Sequence, residues 1–353
     1  MKKLLFALSL VFFIMQRSPA QLSADSTRKI DSLFRGYNQH NTSGISVMVI
    51  RNGKILYNHA FGLAYIAEKK KAIPRTNYRI ASVSKQFTAM AIMILRDQGR
   101  LSLEDPLSSF FPALPAYAEK ITIRQMLNHT SGLPGYGSSK RSDTLEDRDI
   151  PGIIAKQDST AFPPGSRFSY SNSAYVLLGL IVAGVSGQPF QDFVEQHIFR
   201  PLKMHRSRLN VRGSRIPERA YGYNLINGNL LLQDQSTSSY LLGDGGIYSS
   251  THDFYQWDQA LYGGKLIKRQ SLEEIFTPSS HETPSLAYGY GWNIEQKYGT
   301  RRIFHNGGTT GFSSYYVRYP EQRFSVIIFA NQNNGLALEP IIQHIEAMFL
   351  GGN

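Results

Sequence analysis

The sequence contains no cysteine. Disulfide staples, thiolate nucleophiles and cysteine-ligated metals are therefore excluded from the outset. No HExxH or comparable His/Glu spacing points to a metal site, and the residues suggest no cofactor. No serine sits in a Gly-x-Ser-x-Gly elbow, which removes the usual signature of an α/β-hydrolase. Internal repeats and low-complexity linkers are absent. Past the first twenty residues, no run is long and apolar enough to cross a bilayer, which takes roughly 20 such residues. Acidic residues are the scarcer charge, 26 against 38 basic ones. That surplus suits an anionic surface, but the basic residues are scattered, so no nucleic-acid partner is expected. The densest run, Glu68 to Arg75, contains a proline and reads as a solvated loop.

What the chain does have begins with a leader. Lys2 and Lys3 precede an apolar run from Leu4 to Met15, and Ser18-Pro19-Ala20 places small residues where a signal peptidase cuts. Residues 1–20 thus have the pattern of a secretory signal removed after Ala20, leaving an exported protein, periplasmic or secreted, with no transmembrane helix. The rest of the 353 residues suffices for one large domain (21–353) or two closely joined lobes.

The organisation is uneven along the chain. Gly44 to Gly62 reads as two strands about an Asn52-Gly53 turn. Ser313 to Gln332 reads as another pair about Pro320-Glu321-Gln322, and Leu338 to Leu350 as an amphipathic helix. Between Leu101 and about Ser239, helix-like stretches such as Thr122 to Thr130, Ser173 to Gly187 and Phe190 to Phe199 alternate with Pro/Gly loops. This predicts an α+β, three-layer fold. Both chain ends, about 21–100 and 240–353, would build one antiparallel sheet flanked by helices, with a mainly helical lobe (101–239) inserted.

The stretch "RIASVSKQFTAMAIMIL", Arg79 to Leu95, predicts a buried helix opening near Ser82 and stopping before Gly99. Residues three apart on a helix share a face, about 5–6 Å apart at Cβ, so Ser82 and Lys85 present their polar ends to one space. Burial of the lysine disfavours its charged form, and a neutral amine can take the proton of a serine that is otherwise a poor nucleophile. The spacing alone is cheap: serine is a common helix cap, and Ser26 and Lys29 stand in the same relation. Two distant segments add weight, Tyr170-Ser171-Asn172 and His305-Asn306-Gly307-Gly308.

Ser82-x-x-Lys85, Tyr170-Ser171-Asn172 and His305-Asn306-Gly307, in that order, resemble the three motifs of the penicillin-recognising serine hydrolases: class C β-lactamases, DD-peptidases, D-aminopeptidases and related esterases. Leu101 to Pro112, Ile121 to Gly135, Ile198 to Met204 and Gly243 to Asp253 also read like landmarks of that family. The resemblance covers most of the chain and implies its β-lactamase/transpeptidase-like fold. It makes Ser82 the acylated nucleophile and Lys85 and Tyr170 partners in proton transfer. It gives Asn172 the orientation of Lys85 and of the substrate amide, and assigns the oxyanion hole to the backbone N–H groups of Ser82 and Gly308. The third motif departs from the lactamase pattern, with His305 for lysine and Asn306 for threonine or serine. If His305 binds a substrate carboxylate, that recognition should weaken as pH rises past about 6.5.

The implied activity is hydrolysis of amides or esters through a Ser82 acyl-enzyme, with small-molecule or peptide substrates, D-amino-acid peptides of the peptidoglycan type foremost. Esterase or weak β-lactamase activity is the alternative, followed by a penicillin-binding-like protein without turnover. Elsewhere the residues read as structural: Ser250 to Asp253 as a capping box, His129 as a hydrogen-bonding group that orders its loop, and Ser84 as packing.

Overall fold

The computed structural model describes residues 22–38, 41–137 and 144–351. The leader, Met1 to Ala20, lies outside the described residues. The chain-end strands are β1 (Ile45–Arg51), β2 (Lys54–Phe61), β3 (Ser280–Thr283), β4 (Leu286–Tyr288), β5 (Asn293–Lys297), β6 (Thr300–Thr309), β7 (Phe312–Tyr319) and β8 (Phe324–Ala330). They form one eight-stranded antiparallel sheet in the order β3-β4-β5-β6-β7-β8-β1-β2. The first hairpin thus docks on the last one, and both chain ends complete a single sheet. Asn52 and Gly53 at the tip of β1–β2 both take positive φ, 52° and 72°. This is the backbone of the two-residue turn that matches strand twist, and it explains why Asn-Gly is found there.

The central strands are buried on both faces, and their alternation sorts two cores. Ile45, Val47 and Val49 of β1, with Val326, Ile328 and Ala330 of β8, meet Ile30 and Phe34 from α1 (Ala24–Leu33) and its exit. Ile342 and Ile345 of the C-terminal helix (Leu338–Leu350) close that side. Met48, Ile50, Ile327 and Phe329 point the other way, toward the larger core. There lie α2 (Lys85–Asp97), α3 (Asn172–Ser186) and α4 (Thr251–Ala260); the C-terminal helix is α5. Helices on both faces of an antiparallel sheet make the expected three-layer α+β fold.

Several local expectations needed correction. The α-helix begins at Lys85, after a 3₁₀ turn over Ala81–Ser84, so Ser82 sits on the tighter turn rather than in the α-helix. The helix-like stretch from Phe190 is α-helical only to Val194 and continues as a π turn over Glu195–Phe199. The 101–239 region also carries a β-hairpin, Tyr223–Ile226 with Asn229–Leu232, which the helical reading missed. The lysine run is partly strand: Lys70–Lys71 pairs with Leu63–Tyr65, with both lysines exposed. At α4 only half of the capping box forms. Ser250 Oγ accepts from the Asp253 N–H, while the Asp253 carboxylate turns to the N–H groups of Arg206 and Ser207. Among the described residues no single helix is long and apolar enough to cross a membrane.

Candidate active site

The turn that carries Ser82 is strained and firmly held. Ala81 takes φ +47°, a left-handed conformation that costs a residue with a Cβ about 1–3 kcal/mol. Around it, Ile80 N–H donates to Ile247 O at 2.9 Å and Ser314 Oγ–H donates to Ile80 O at 2.7 Å. Ser84, expected to pack, is wholly buried, and its Oγ accepts the Ile247 N–H at 3.2 Å. Strand Ile247–Ser249 and β7 thus clamp the turn from two sides. Below it every residue of α2 from Lys85 to Leu95 is buried, with the Phe87 ring stacked on Trp257 at 4.2 Å. Ser82 thus stands at the buried start of α2 in the larger core.

Lys85 is fully buried, and its Nζ has three oxygen neighbours: Ser82 Oγ at 3.3 Å, Asn172 Oδ1 at 2.7 Å and Asp244 O at 2.7 Å. An ammonium has three N–H donors for these three oxygens. A neutral amine has two donors and a lone pair. Asn172 and Asp244 O can only accept from it, so the lone pair is left for the Ser82 hydroxyl proton. The arrangement therefore holds the amine in place in either protonation state. Asn172 is the first residue of α3, whose N-cap Ser171 accepts from the Ala174 N–H at 3.2 Å. The second motif is in effect a helix start aimed at Lys85. The Tyr170 ring lies 4.9 Å from Lys85 Nζ, and Tyr170 is 42% exposed, so its phenol borders both the lysine and solvent.

His129 orders this corner as expected. Its Nδ1 accepts the Ser171 N–H at 3.0 Å, and its ring packs among Phe168, Tyr170, Tyr175 and Tyr288. Burial, then the Lys85 charge, holds it well below the usual imidazole range, so it stays neutral.

The third motif lies on β6. Pairing with β5 ends at Phe304, and from His305 to Thr309 only β7 remains alongside. Beyond Phe304, among the described residues no second strand pairs with the other edge of β6. His305 and Gly307 are buried, whereas Asn306 and Gly308 are exposed, as strand alternation requires. Gly307 has no room for a side chain: a Cβ would lie 2.5 Å from Ile80 O and 3.1 Å from Ala81 Cβ. This close approach brings β6 against the Ser82 turn, and the space beside Gly308 is open. Asn306 and Gly308 line a hollow of about 350 Å³ that they share with Asn333 and Glu339.

The expectation of a titrating cation at 305 does not hold. His305 is 2% exposed, and burial first, then the Lys85 charge, lowers its pKa to about 3. Its Nδ1–H donates to Asn306 O at 2.6 Å, and its Nε2 accepts the Tyr288 O–H at 3.0 Å. A neutral imidazole with both nitrogens occupied offers no charge to a substrate carboxylate.

Sequence reasoning did not single out Asp244 and weighed Tyr136 only as a residue lining the cleft. The Asp244 carbonyl holds Lys85, and its carboxylate accepts the Tyr136 O–H at 2.9 Å. The Gly-rich run Gly243 to Gly246 was the available signal, since it marks backbone in close approach.

With this geometry in view, the comparisons converge. A family model described as Beta-lactamase matches residues 30–345. A penicillin-binding protein of Bacillus subtilis (strain 168) is 31% identical over 341 residues, covering 91% of this chain and 75% of that protein. The octameric penicillin-binding protein homologue from Pyrococcus abyssi superposes with a TM-score of 0.83 at 27% identity, covering 93% of this chain and 78% of that one. D-amino acid amidase from Ochrobactrum anthropi SV3 shares the fold, with a TM-score of 0.80 at 23% identity over 92% of this chain and 99% of its own. A serine and a buried lysine one turn apart, met by a tyrosine–asparagine helix start and a glycine-bearing strand, accompany these matches: the chain belongs to the beta-lactamase family of serine hydrolases.

Proposed function

We propose that the protein is an exported hydrolase that cleaves amide or ester bonds through an acyl-enzyme on Ser82, with D-amino-acid derivatives of the peptidoglycan type as its leading substrates. The observation that carries this reading is the placement of Lys85 Nζ, fixed by Asn172 and Asp244 O with Ser82 Oγ as its third neighbour.

In acylation, Ser82 Oγ attacks the substrate carbonyl carbon while its proton passes to the Lys85–Tyr170 pair. The N–H groups of Ser82 and Gly308 receive the oxyanion; one such donor is typically worth about 2.7–4 kcal/mol of barrier lowering. The tetrahedral intermediate collapses, and the leaving amine or alcohol departs with the proton. Water then attacks the acyl-enzyme with the same pair as base, releasing the acid and restoring the Ser82 hydroxyl.

Neutral His305 favours a narrower second reading: substrates without a free carboxylate, such as D-amino-acid amides and esters, a direction that the amidase relative also suggests. The test is a panel of fluorescent penicillin, chromogenic cephalosporin, a short-chain p-nitrophenyl ester, a D-Ala-D-Ala peptide and a D-amino-acid amide, run beside Ser82→Ala. Turnover or a covalent adduct lost in the variant supports the hydrolase. Faster turnover of the amide or ester than of the peptide supports the narrower reading. Turnover of none, with no adduct, overturns both.

A further inference from the structure

Asp244 does more at this site than supply a carbonyl. Its side chain is buried, with the residue 8% exposed, and its carboxylate is anchored by the Tyr136 O–H at 2.9 Å. Among the described residues no cation lies within ion-pair distance of it, yet two buried cations, Lys85 and Arg79, act on it electrostatically. A buried carboxylate is costly, and an asparagine would fill the same space and still accept the tyrosine hydrogen bond. The fold alone does not account for a charge there.

The groups around Lys85 sharpen the point. Tyr170 faces it from the segment before α3 and Tyr175 from α3 itself. His129 faces it from the loop after helix Ile123–Leu127, and His305 from β6. Ser82 faces it from its own turn, and buried Arg79, just before that turn, acts on Asp244 electrostatically. Both histidines are held neutral by burial, and burial keeps the Tyr175 proton in place. Asp147, which accepts the Leu242 N–H, also acts on Asp244, but burial pushes its carboxyl up to about 8, which leaves Asp244 as the acid joined directly to the cluster. Burial pushes the Asp244 carboxyl up on balance, and Lys85, the Tyr136 hydrogen bond and Arg79 pull it part of the way back toward the ionised form.

We propose that the Asp244 carboxylate, anchored by Tyr136, is the counter-charge that sets the protonation balance of the Lys85–Tyr170 pair, which makes Asp244 and Tyr136 positioning residues of the reaction. The inference rests on the serine-hydrolase reading above. An anion beside an ammonium favours the charged form; removing it frees the base at lower pH. In Asp244→Asn the acid limb of kcat/KM should therefore move to lower pH, by about one unit. Tyr136→Phe, which leaves the carboxylate in place without its hydrogen bond, should move the limb less and in the same direction. Asp244→Glu should return it toward the wild-type position.

The experiment measures kcat/KM for the best panel substrate from pH 5 to 9, with thermal melting of each variant. A shifted limb with Glu rescue supports the proposal. A uniform loss of rate with the limb unmoved overturns it and leaves the serine-hydrolase reading intact. If Asp244→Asn does not fold, Tyr136→Phe decides alone: a shift supports, no shift overturns. Absence of any Ser82-dependent turnover or adduct in the wild type removes the hydrolase reading and this inference together.

Discussion

Two buried cations, Arg302 and Lys85, stand on opposite sides of the sheet and live by different rules. Arg302, on β6, is 2% exposed and grips Glu346 at 2.7 Å, Glu295 at 2.9 Å and Glu339 at 3.0 Å, with the Tyr315 hydroxyl at 3.1 Å. Burial would weaken its proton affinity, but the surrounding Tyr315, Glu346 and Glu339 more than reverse that, so the guanidinium keeps its charge. It ties β6 to α5, and its proton never moves. Lys85 is equally buried but is met by a hydroxyl, an amide oxygen and a carbonyl, with no carboxylate in contact among the described residues. Carboxylates at contact fix a cation's proton, whereas neutral oxygens fix only its position. The first arrangement suits a strut and the second suits the base proposed for Ser82.

Removing each cation's support should separate the two roles. Lys85→Met keeps the bulk and loses the amine; acylation should fall by about 10²–10⁴-fold, the usual worth of general-base help, with the melting temperature unchanged or higher. Adduct formation with fluorescent penicillin or release of p-nitrophenol measures it, and a Lys85→Met protein that acylates normally would erase the contrast. Glu346→Ala leaves Arg302 and Lys297 short of a fully buried partner, and it should cost about 3–5 kcal/mol of stability. Urea unfolding reads that loss, and the fraction still folded should turn over substrate at close to the wild-type rate. Asn172→Ala comes next, because it deletes one hydrogen bond to the amine. A loss of about 1.5–3 kcal/mol of transition-state stabilisation, seen in kcat/KM with little change in melting, is expected.

The sequence displayed one of these two arrangements and hid the other. Ser82, Lys85, Tyr170 and Asn172 are legible because the proposed chemistry needs those side chains, with Ser82 and Lys85 at a spacing that helix geometry constrains. Likewise Asn52-Gly53 fixes a hairpin because its φ values demand those residues. Asp244 was hidden because its contact with Lys85 uses a carbonyl, which every residue has. The Arg302 cluster was hidden because its acids come from β5 and two turns of α5, so no local pattern joins them. The Ala81 strain was equally unreadable: a left-handed alanine persists only because Ile247 and Ser314 hold the chain around it. The hairpin at Tyr223–Leu232 was legible but missed: its Asn227-Gly228 turn, with φ 49° and 80°, repeats the signal at Asn52-Gly53, and only its pairing with Gln332–Asn333 is long-range.

His305 offers the finest test, since it is a third buried base that could have been a cation and is kept neutral. An unfolded histidine binds a proton below about pH 6.5, whereas His305 in the fold does so only near pH 3. Between those values the unfolded chain holds a proton that the native chain lacks, so stability is fully present above pH 6.5 and drains away as pH falls. The drain is about 1.4 kcal/mol per pH unit for one such group. His129, also held low, adds to it in the same direction. In His305→Gln the side-chain amide can still give a hydrogen bond to Asn306 O and take one from Tyr288, but it cannot titrate. Its unfolding free energy, measured from pH 6.5 down to 4.5, should therefore fall less steeply than that of the wild type, by about 1.4 kcal/mol per unit. The pH profile of kcat/KM should show no inflection near 6.5 that the variant lacks. Parallel stability slopes, or an inflection lost with the imidazole, would mean that His305 carries charge after all and that a substrate carboxylate has its partner.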